Sequence, residues 1–421
     1  MQPTDYLMVL PVRHFRVGPG SVAVESAFAE HLRMMRQKIG GAGERLVIAS
    51  PTMDSKVYES LKQGLSVIDE ERETITFCAL YSDNVIRSIG DKVRSFYPVM
   101  RTIYSLVSGS YCVHSGASWS VWLPFEFASI VFGIVLRRRT VFVVDIDYRN
   151  SAYMSYRVGN WSWKSYMLCR YVYDTARSFQ IRIAARYCSV VLLKGGKLAA
   201  DFGSGRPNVK NFLDASHSEK NLIDLDSLRK KLDSVRDKSQ PLQLTYFGRL
   251  TAYKGVDRCI RAVVLARAAG ANVRLDIIGG GEELDALRSL ANETDANAYL
   301  RFLDPQPFDQ NFFRLLYKYH LLLAAPLRED TPRSALDAMA AGVPYLAFDT
   351  YYYHELLTSG AGWTVPWLDV DAMARALIEF EADREKLVGM IEQSVAFARG
   401  NTQEIWLDRR FEWTLPPVDA R

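Results

Sequence analysis

Short apolar runs alternate with amphipathic stretches along nearly the whole chain, and that alternation leaves few architectures open. Residues 7–10, 46–49, 75–78, 111–113, 140–144 and 190–193 read as buried strands. Helical patterns such as 24–38 and 179–187 lie between them. A second series runs through 244–247, 275–278, 300–302, 321–324 and 345–348. Alternating β and α patterns in both halves imply two α/β domains, each with a parallel sheet. The first is expected over 1–213 and the second over 241–400. The polar segment 214–240, with Arg229-Lys230-Lys231 inside it, reads as a linker region, and 401–421 as a C-terminal helix returning to the first domain. Ligands of open parallel sheets bind beyond the carboxyl ends of the strands, so two such domains would bury a ligand in the cleft between them.

Composition narrows the class. An apolar content of 48% with 24% charged residues belongs to a globular chain and excludes disorder. Five cysteines, Cys78, Cys112, Cys169, Cys188 and Cys259, show no metal spacing and suit reduced thiols in the cytoplasm. No basic stretch precedes an apolar run at the N-terminus, so no secretory signal is expected. No segment reaches the roughly 20 apolar residues that span a bilayer. The nearest, 119–136, is broken by Pro124 and Glu126. From Arg137 to Arg186, ten Lys and Arg face three acids, interleaved with Tyr148, Tyr153, Tyr156, Trp161, Trp163, Tyr166, Tyr171 and Tyr173. Cations mixed with amphipathic rings suit an anionic membrane surface, single-stranded nucleic acid, or a solvated face over an aromatic core. Nothing organises these residues into a nucleic-acid recognition motif, so no nucleic-acid partner is expected.

The chemistry-bearing motifs lie at strand ends. Arg249 and Lys254 stand five residues apart in a Gly-bounded loop after the run 244–247, and two fixed cations suit a diphosphate. Glu329 and Asp337 flank Thr331 and Pro332, a good N-cap and first helical residue, so 334–341 should be helical. Carboxylates there would accept hydrogen bonds from sugar or ribose hydroxyls, or serve only as acids near a helix dipole. Gly279-Gly280-Gly281 follows the strand 275–278, where it would let a ligand approach the backbone or merely form a tight turn. Gly18 and Gly20 fall between the first strand and a helix expected from Val22, as a phosphate-facing loop without the dinucleotide fingerprint. Asp145 and Asp147 end the strand 140–144 and could hold a divalent metal, act as base, or pair with Arg137–Arg139. His114 also ends a strand, where a lone histidine is either structural or catalytic.

Taken in order, Phe247-Gly248-Arg249-Leu250…Lys254-Gly255, Leu275–Gly281, Leu300–Leu303, Glu329–Pro344 and His354-Glu355-Leu356-Leu357…Gly362-Trp363 resemble the retaining nucleotide-sugar glycosyltransferases of family 4. The resemblance covers about residues 240 to 400 and is loose in the first half. It implies a GT-B fold, two Rossmann-like domains facing a central cleft. It implies that Arg249 and Lys254 bind the donor diphosphate as it leaves, that Glu329 contacts the donor sugar and that Asp337 contacts the ribose. Gly18, Gly20, Gly280 and Thr331 join the substrate-binding set, and Asp147 and His114 join Glu329 as catalytic candidates. No cofactor or metal is expected. This sequence departs from the family where Asp330-Thr331-Pro332 replaces Gly-x-Gly and where Asp337 replaces a glutamate.

The expected activity is therefore transfer of a sugar from a nucleotide donor to a glycan or lipid-linked acceptor. A cytoplasmic location is expected, with peripheral contact at the inner face of a membrane through 119–186. Two alternatives remain: a degenerate scaffold that binds nucleotide-sugar or a partner transferase without turnover, and a metal-dependent transferase using Asp145 and Asp147.

Overall fold

The computed structural model describes residues 4–39, 44–82, 89–118 and 120–415. Among the described residues the strands are β1 (Asp5–Val9), β2 (Phe15–Gly18), β3 (Ser21–Glu25), β4 (Arg45–Thr52), β5 (Leu65–Asp69), β6 (Ile75–Ser82), β7 (Ser110–Gly116), β8 (Arg139–Val144), β9 (Val190–Lys194), β10 (Val209–Phe212), β11 (Leu242–Phe247), β12 (Val273–Ile278), β13 (Leu300–Leu303), β14 (Leu321–Ala324), β15 (Tyr345–Phe348) and β16 (Gly362–Val365). All eleven apolar runs read from the sequence are strands, because sheets covered by helices on both faces need mostly apolar side chains; the buried Asp276 of β12 is compensated by Arg301 and Lys318. Leu7, Val47, Val113 and Phe142 pack on one face of the first sheet, and their chain neighbours Tyr6, Leu46, Cys112 and Val141 on the other. Each such side chain contributes about 1.5–3 kcal/mol on burial.

Two parallel sheets result. The seven-stranded sheet has the order β10-β9-β8-β7-β1-β4-β6, and the six-stranded sheet β13-β12-β11-β14-β15-β16. The strand order reverses between β1 and β7 in the first and between β11 and β14 in the second. At such a switch point the two neighbouring connections diverge and leave a crevice beyond the carboxyl ends. Both functional regions described below lie at these two points.

Two expectations are corrected. Gly18 and Gly20 do not precede a helix: Val22–Val24 pair with β5 in an antiparallel three-stranded sheet, and the helix begins at Ser26. The β-branched residues at 22 and 24 are buried in that pairing, so Pro19-Gly20 forms a hairpin turn, with Gly20 at φ 71°. The segment 214–240 is not merely a linker, because Leu225–Arg236 is a helix. Arg384 fastens it to the second domain, donating to the carbonyls of Val235, Asp237 and Gln240. The helix Gln403–Thr414 lies on the first domain, where Arg139 donates to the carbonyls of Trp413 and Thr414 and Lys38 pairs with Asp408. The remainder of the expected terminal helix, 416–421, and Trp119 of the expected membrane-facing segment lie outside the described residues.

Candidate functional site

On the C-terminal wall of the cleft, two loops leave the switch point. The first follows β11 and carries Arg249 and Lys254; the second follows β14 and carries Arg328, Glu329 and Asp330. Close backbone approach fixes them. A Cβ on Gly255, which has φ 63°, would stand 1.9 Å from the Ala325 carbonyl oxygen. One on Gly279, at φ 152°, would stand 2.0 Å from that of Gly248. The glycines after β12 thus let neighbouring loops touch: Gly248 donates to Ile278, Leu250 donates to the Gly280 carbonyl, and the Gly280 Cα faces Pro305.

The cations differ in state. Arg249 is exposed, with its carbonyl held by the Tyr246 hydroxyl at 2.9 Å. Lys254 is paired with Asp330, the residue that departs from the expected Gly-x-Gly. Arg328, which the sequence reading missed, lies 3.7 Å over the Tyr253 ring, and Lys254 sits 5.2 Å from the same ring. The Gly248 loop also lies against the start of the helix Arg333–Ala340, since a Cβ there would be 3.9 Å from Ser334 Oγ. Exposed cations beside a helix N-terminus form an anion site. The helix is Arg333–Ala340 against the expected 334–341, with Pro332 rather than Thr331 at the N-cap; Thr331 instead accepts from the Arg333 N–H through its carbonyl.

Glu329 is 2% exposed and bridges the domains. Its Oε1 accepts from Asn150 Nδ2 at 2.7 Å and from the Tyr351 N–H at 3.3 Å. Its Oε2 is buried and has no partner among the described residues, as are Thr251 Oγ1 and Thr350 Oγ1. Native structures leave few such groups, and at a cleft they mark where a ligand hydroxyl would bond. Burial, with the nearby charges of Asp147 and Asp349, pushes the Glu329 carboxyl up to about 7.

Asp337 is 2% exposed, and its Oδ1 accepts from the Ser216 and His217 N–H groups at 2.9 and 2.8 Å. This carboxylate therefore fastens the crossing chain to the helix in which it sits. The shorter side chain, one methylene less than glutamate, keeps it close to that helix.

The N-terminal wall holds the other candidates. Asp147 caps the helix Tyr148–Arg157, and both its oxygens are engaged by Arg149, at 2.9 Å to Nε and 2.6 Å to Nη2. Its N–H donates to the Tyr352 hydroxyl, which donates onward to the Lys194 carbonyl. Asp145 instead faces Lys194 at 3.7 Å. The two acids thus face different cations, Lys194 being shared with Asp214 and Arg149 with Asp201, and among the described residues no three His, Cys, Asp or Glu side chains converge as metal ligands. His114 is buried with Nδ1 2.9 Å from the Tyr6 hydroxyl; burial, reinforced by Arg410 and His31, drives its pKa down to about 3, which keeps the ring neutral.

Asn150, Tyr352, Lys194, Asp214 and Glu355 were not found by sequence reading. Glu355 accepts from the Gly196 N–H and from Asn211 Nδ2, and Asp214 joins Lys194 to Arg333 across the domains. No spacing rule connects residues so far apart in the chain.

Residues 229–396 match the family model described as Glycosyl transferases group 1. A curated relative is the GtfA subunit of a UDP-N-acetylglucosamine–peptide N-acetylglucosaminyltransferase of Streptococcus gordonii, 24% identical over 178 residues. That alignment takes in 42% of this chain and 32% of GtfA, so the chain matches about a third of its relative's length. Among solved structures, Anabaena HepE in complex with UDP superposes with a TM-score of 0.62 at 13% identity, covering 97% of this chain and 98% of HepE. WaaG, a glycosyltransferase involved in lipopolysaccharide biosynthesis, gives 0.63 at 12% identity, covering 98% and 100%. Residues 229–396 thus carry the sequence pattern of group 1 glycosyl transferases, set within a two-domain GT-B fold.

Proposed function

We propose that the chain transfers a hexosyl group from a UDP-sugar to a glycan or lipid-linked acceptor, with retention of anomeric configuration as in family 4, in polysaccharide or glycoconjugate biosynthesis. The observation that carries the reading is the convergence at one switch point of Arg249, Lys254, the start of the helix Arg333–Ala340 and the half-satisfied Glu329 carboxylate. Negative charge grows on the β-phosphate as the nucleotide leaves, and preorganised cations there are the strongest lever on the rate. Glu329 Oε2 would accept from a donor-sugar hydroxyl. UDP is favoured because HepE was solved with it and GtfA uses a UDP-sugar.

The proposed reaction is metal-independent, supported by the pairing of Asp145 with Lys194 and Asp147 with Arg149. We place the protein in the cytoplasm, peripheral to the inner face of a membrane. Among the described residues no helix is long and apolar enough to cross one. Support for surface contact comes from Trp122 and Trp163, 76% and 58% exposed, in the segment 119–186 whose part from Arg137 to Arg186 is basic. A second reading, a nucleotide-sugar-binding scaffold without turnover, is favoured by Asp330 occupying Lys254 and by Asp337 being tied to the chain crossing.

The test is thermal unfolding with UDP, GDP, ADP and TDP, with and without chelator, followed by NMR of the product anomer. UDP at 100 times its Kd should add about 2.7 kcal/mol in either buffer. A shift lost with chelator would overturn metal independence, a shift without turnover would leave the scaffold, and no shift would sink both readings.

A further inference from the structure

A cavity of about 280 Å³ lies at the other switch point, beyond β1 and β7. His114 and Asp145 line it from the sheet, His31 from the helix Ser26–Ile39, and Arg410 from the helix Gln403–Thr414. We propose that this cavity is an oxyanion subsite, in which Arg410 receives a phosphate or carboxylate carried by the acceptor. The proposal rests on the transferase reading for the word acceptor, but the site itself stands on its own residues.

Arg410 is half-buried, its guanidinium 4.9 Å over the Phe212 ring, and no carboxylate among the described residues pairs with it. The nearby Asp214 carboxylate is taken by Lys194 and Arg333, and Asp145 is directed to Lys194. Glu126, at the cavity wall, bonds to Ser118, and burial pushes its carboxyl pKa up. Burial and the charge of Arg410 push His31 down to about 4, so both histidines offer neutral rings. One planar, permanently charged fork therefore stands beside two neutral imidazoles with Asp145 turned to Lys194, a geometry that matches the two oxygens of a phosphate or carboxylate.

The cavity also has the right neighbour. Tyr148 lines it and opens the helix whose Asn150 bonds Glu329. An acceptor anchored by its anion at Arg410 would hold a hydroxyl toward the donor sugar from within the same helical turn.

The chain has six histidines, so their ring signals give a short NMR spectrum, assignable by His31→Gln and His114→Gln. Inorganic phosphate and glucuronate should shift the His31 and His114 signals saturably, whereas glucose should not. Tighter binding of phosphate points to a phosphate-bearing acceptor, and tighter binding of glucuronate to a uronate. Arg410→Gln should weaken both responses about tenfold or more, a loss typical of a charge-assisted bidentate contact. Its UDP thermal shift should be unchanged, which also shows that the variant folds. Should Arg410→Gln not fold, Val12→Trp, which adds bulk to the cavity lining and leaves the Arg410 side chain unchanged, should remove the response instead. An equal response to glucose, no response to either anion, or an undiminished response in the variants would overturn the proposal. A phosphate response without any UDP shift would sink the donor reading and keep the oxyanion site.

Discussion

The two walls of the cleft solve the same problem in different ways. Each stands at the switch point of a parallel sheet, and each presents a cation to a crevice. On the C-terminal wall the cations come from loops directly after β11 and β14, and Lys254 is already neutralised by Asp330. On the N-terminal wall the cation is Arg410, imported from a helix that begins nearly two hundred residues after the last strand of the sheet it serves, and no carboxylate among the described residues pairs with it. A group that must release a charged product benefits from a competitor that can return. A group that only anchors does not need one.

This contrast can be broken or sharpened by substitution. The largest effect is expected from Arg249→Ala, which should lower kcat about 10²–10³-fold if the exposed guanidinium stabilises the departing diphosphate. An unchanged kcat would remove the catalytic asymmetry between the walls. Next comes Glu329→Gln. Burial raises the folded-state pKa to about 7 from an ordinary 4.5, so the folded protein holds more protons than the unfolded chain between those values. Stability from this group is then greatest at low pH and falls as pH rises through that window. The glutamine variant should lack that slope and be more stable at pH 8 by on the order of 3 kcal/mol, while losing transfer. Urea unfolding at pH 4 and pH 8 decides this, and parallel wild-type and variant profiles would refute it.

Asp337→Ala should cost about 2 kcal/mol in unfolding, because the Ser216 and His217 N–H groups lose their acceptor. If it instead weakens UDP binding with no loss of stability, the carboxylate contacts the nucleotide after all. The smallest effect is expected from Asp330→Asn. Freeing a partly exposed lysine from its ion pair should tighten UDP binding about fivefold at most, close to 1 kcal/mol. Calorimetry with UDP would show it, and weaker binding would mean that Asp330 orders Lys254 rather than competing for it.

How much was legible in advance divides along the same line. The eleven strands could be read because a doubly covered strand is mostly apolar, a property of consecutive residues. Arg249, Lys254 and Glu329 could be read because each lies within a few residues of such a strand's end. The β2–β3 hairpin was misread because Val22 and Val24 satisfy a helical pattern as well as a strand, and only pairing with 65–69 separates the two. Gly280 was read as a place for ligand approach, yet the glycines around it have a nearer use in loop-to-loop contact.

The amino-acid order by itself determined the two sheets, the switch-point loops and the placing of Arg249 and Lys254 on one of them, since local periodicity and short spacing encode them. Only the tertiary structure decided that Asp330 neutralises Lys254, that Asp337 holds the crossing chain, that Asn150 meets Glu329 and that Arg410 lines the N-terminal cavity with no carboxylate partner among the described residues. Each of those outcomes depends on which distant segments share a small volume, and charge pairing and desolvation act on that proximity rather than on position in the chain.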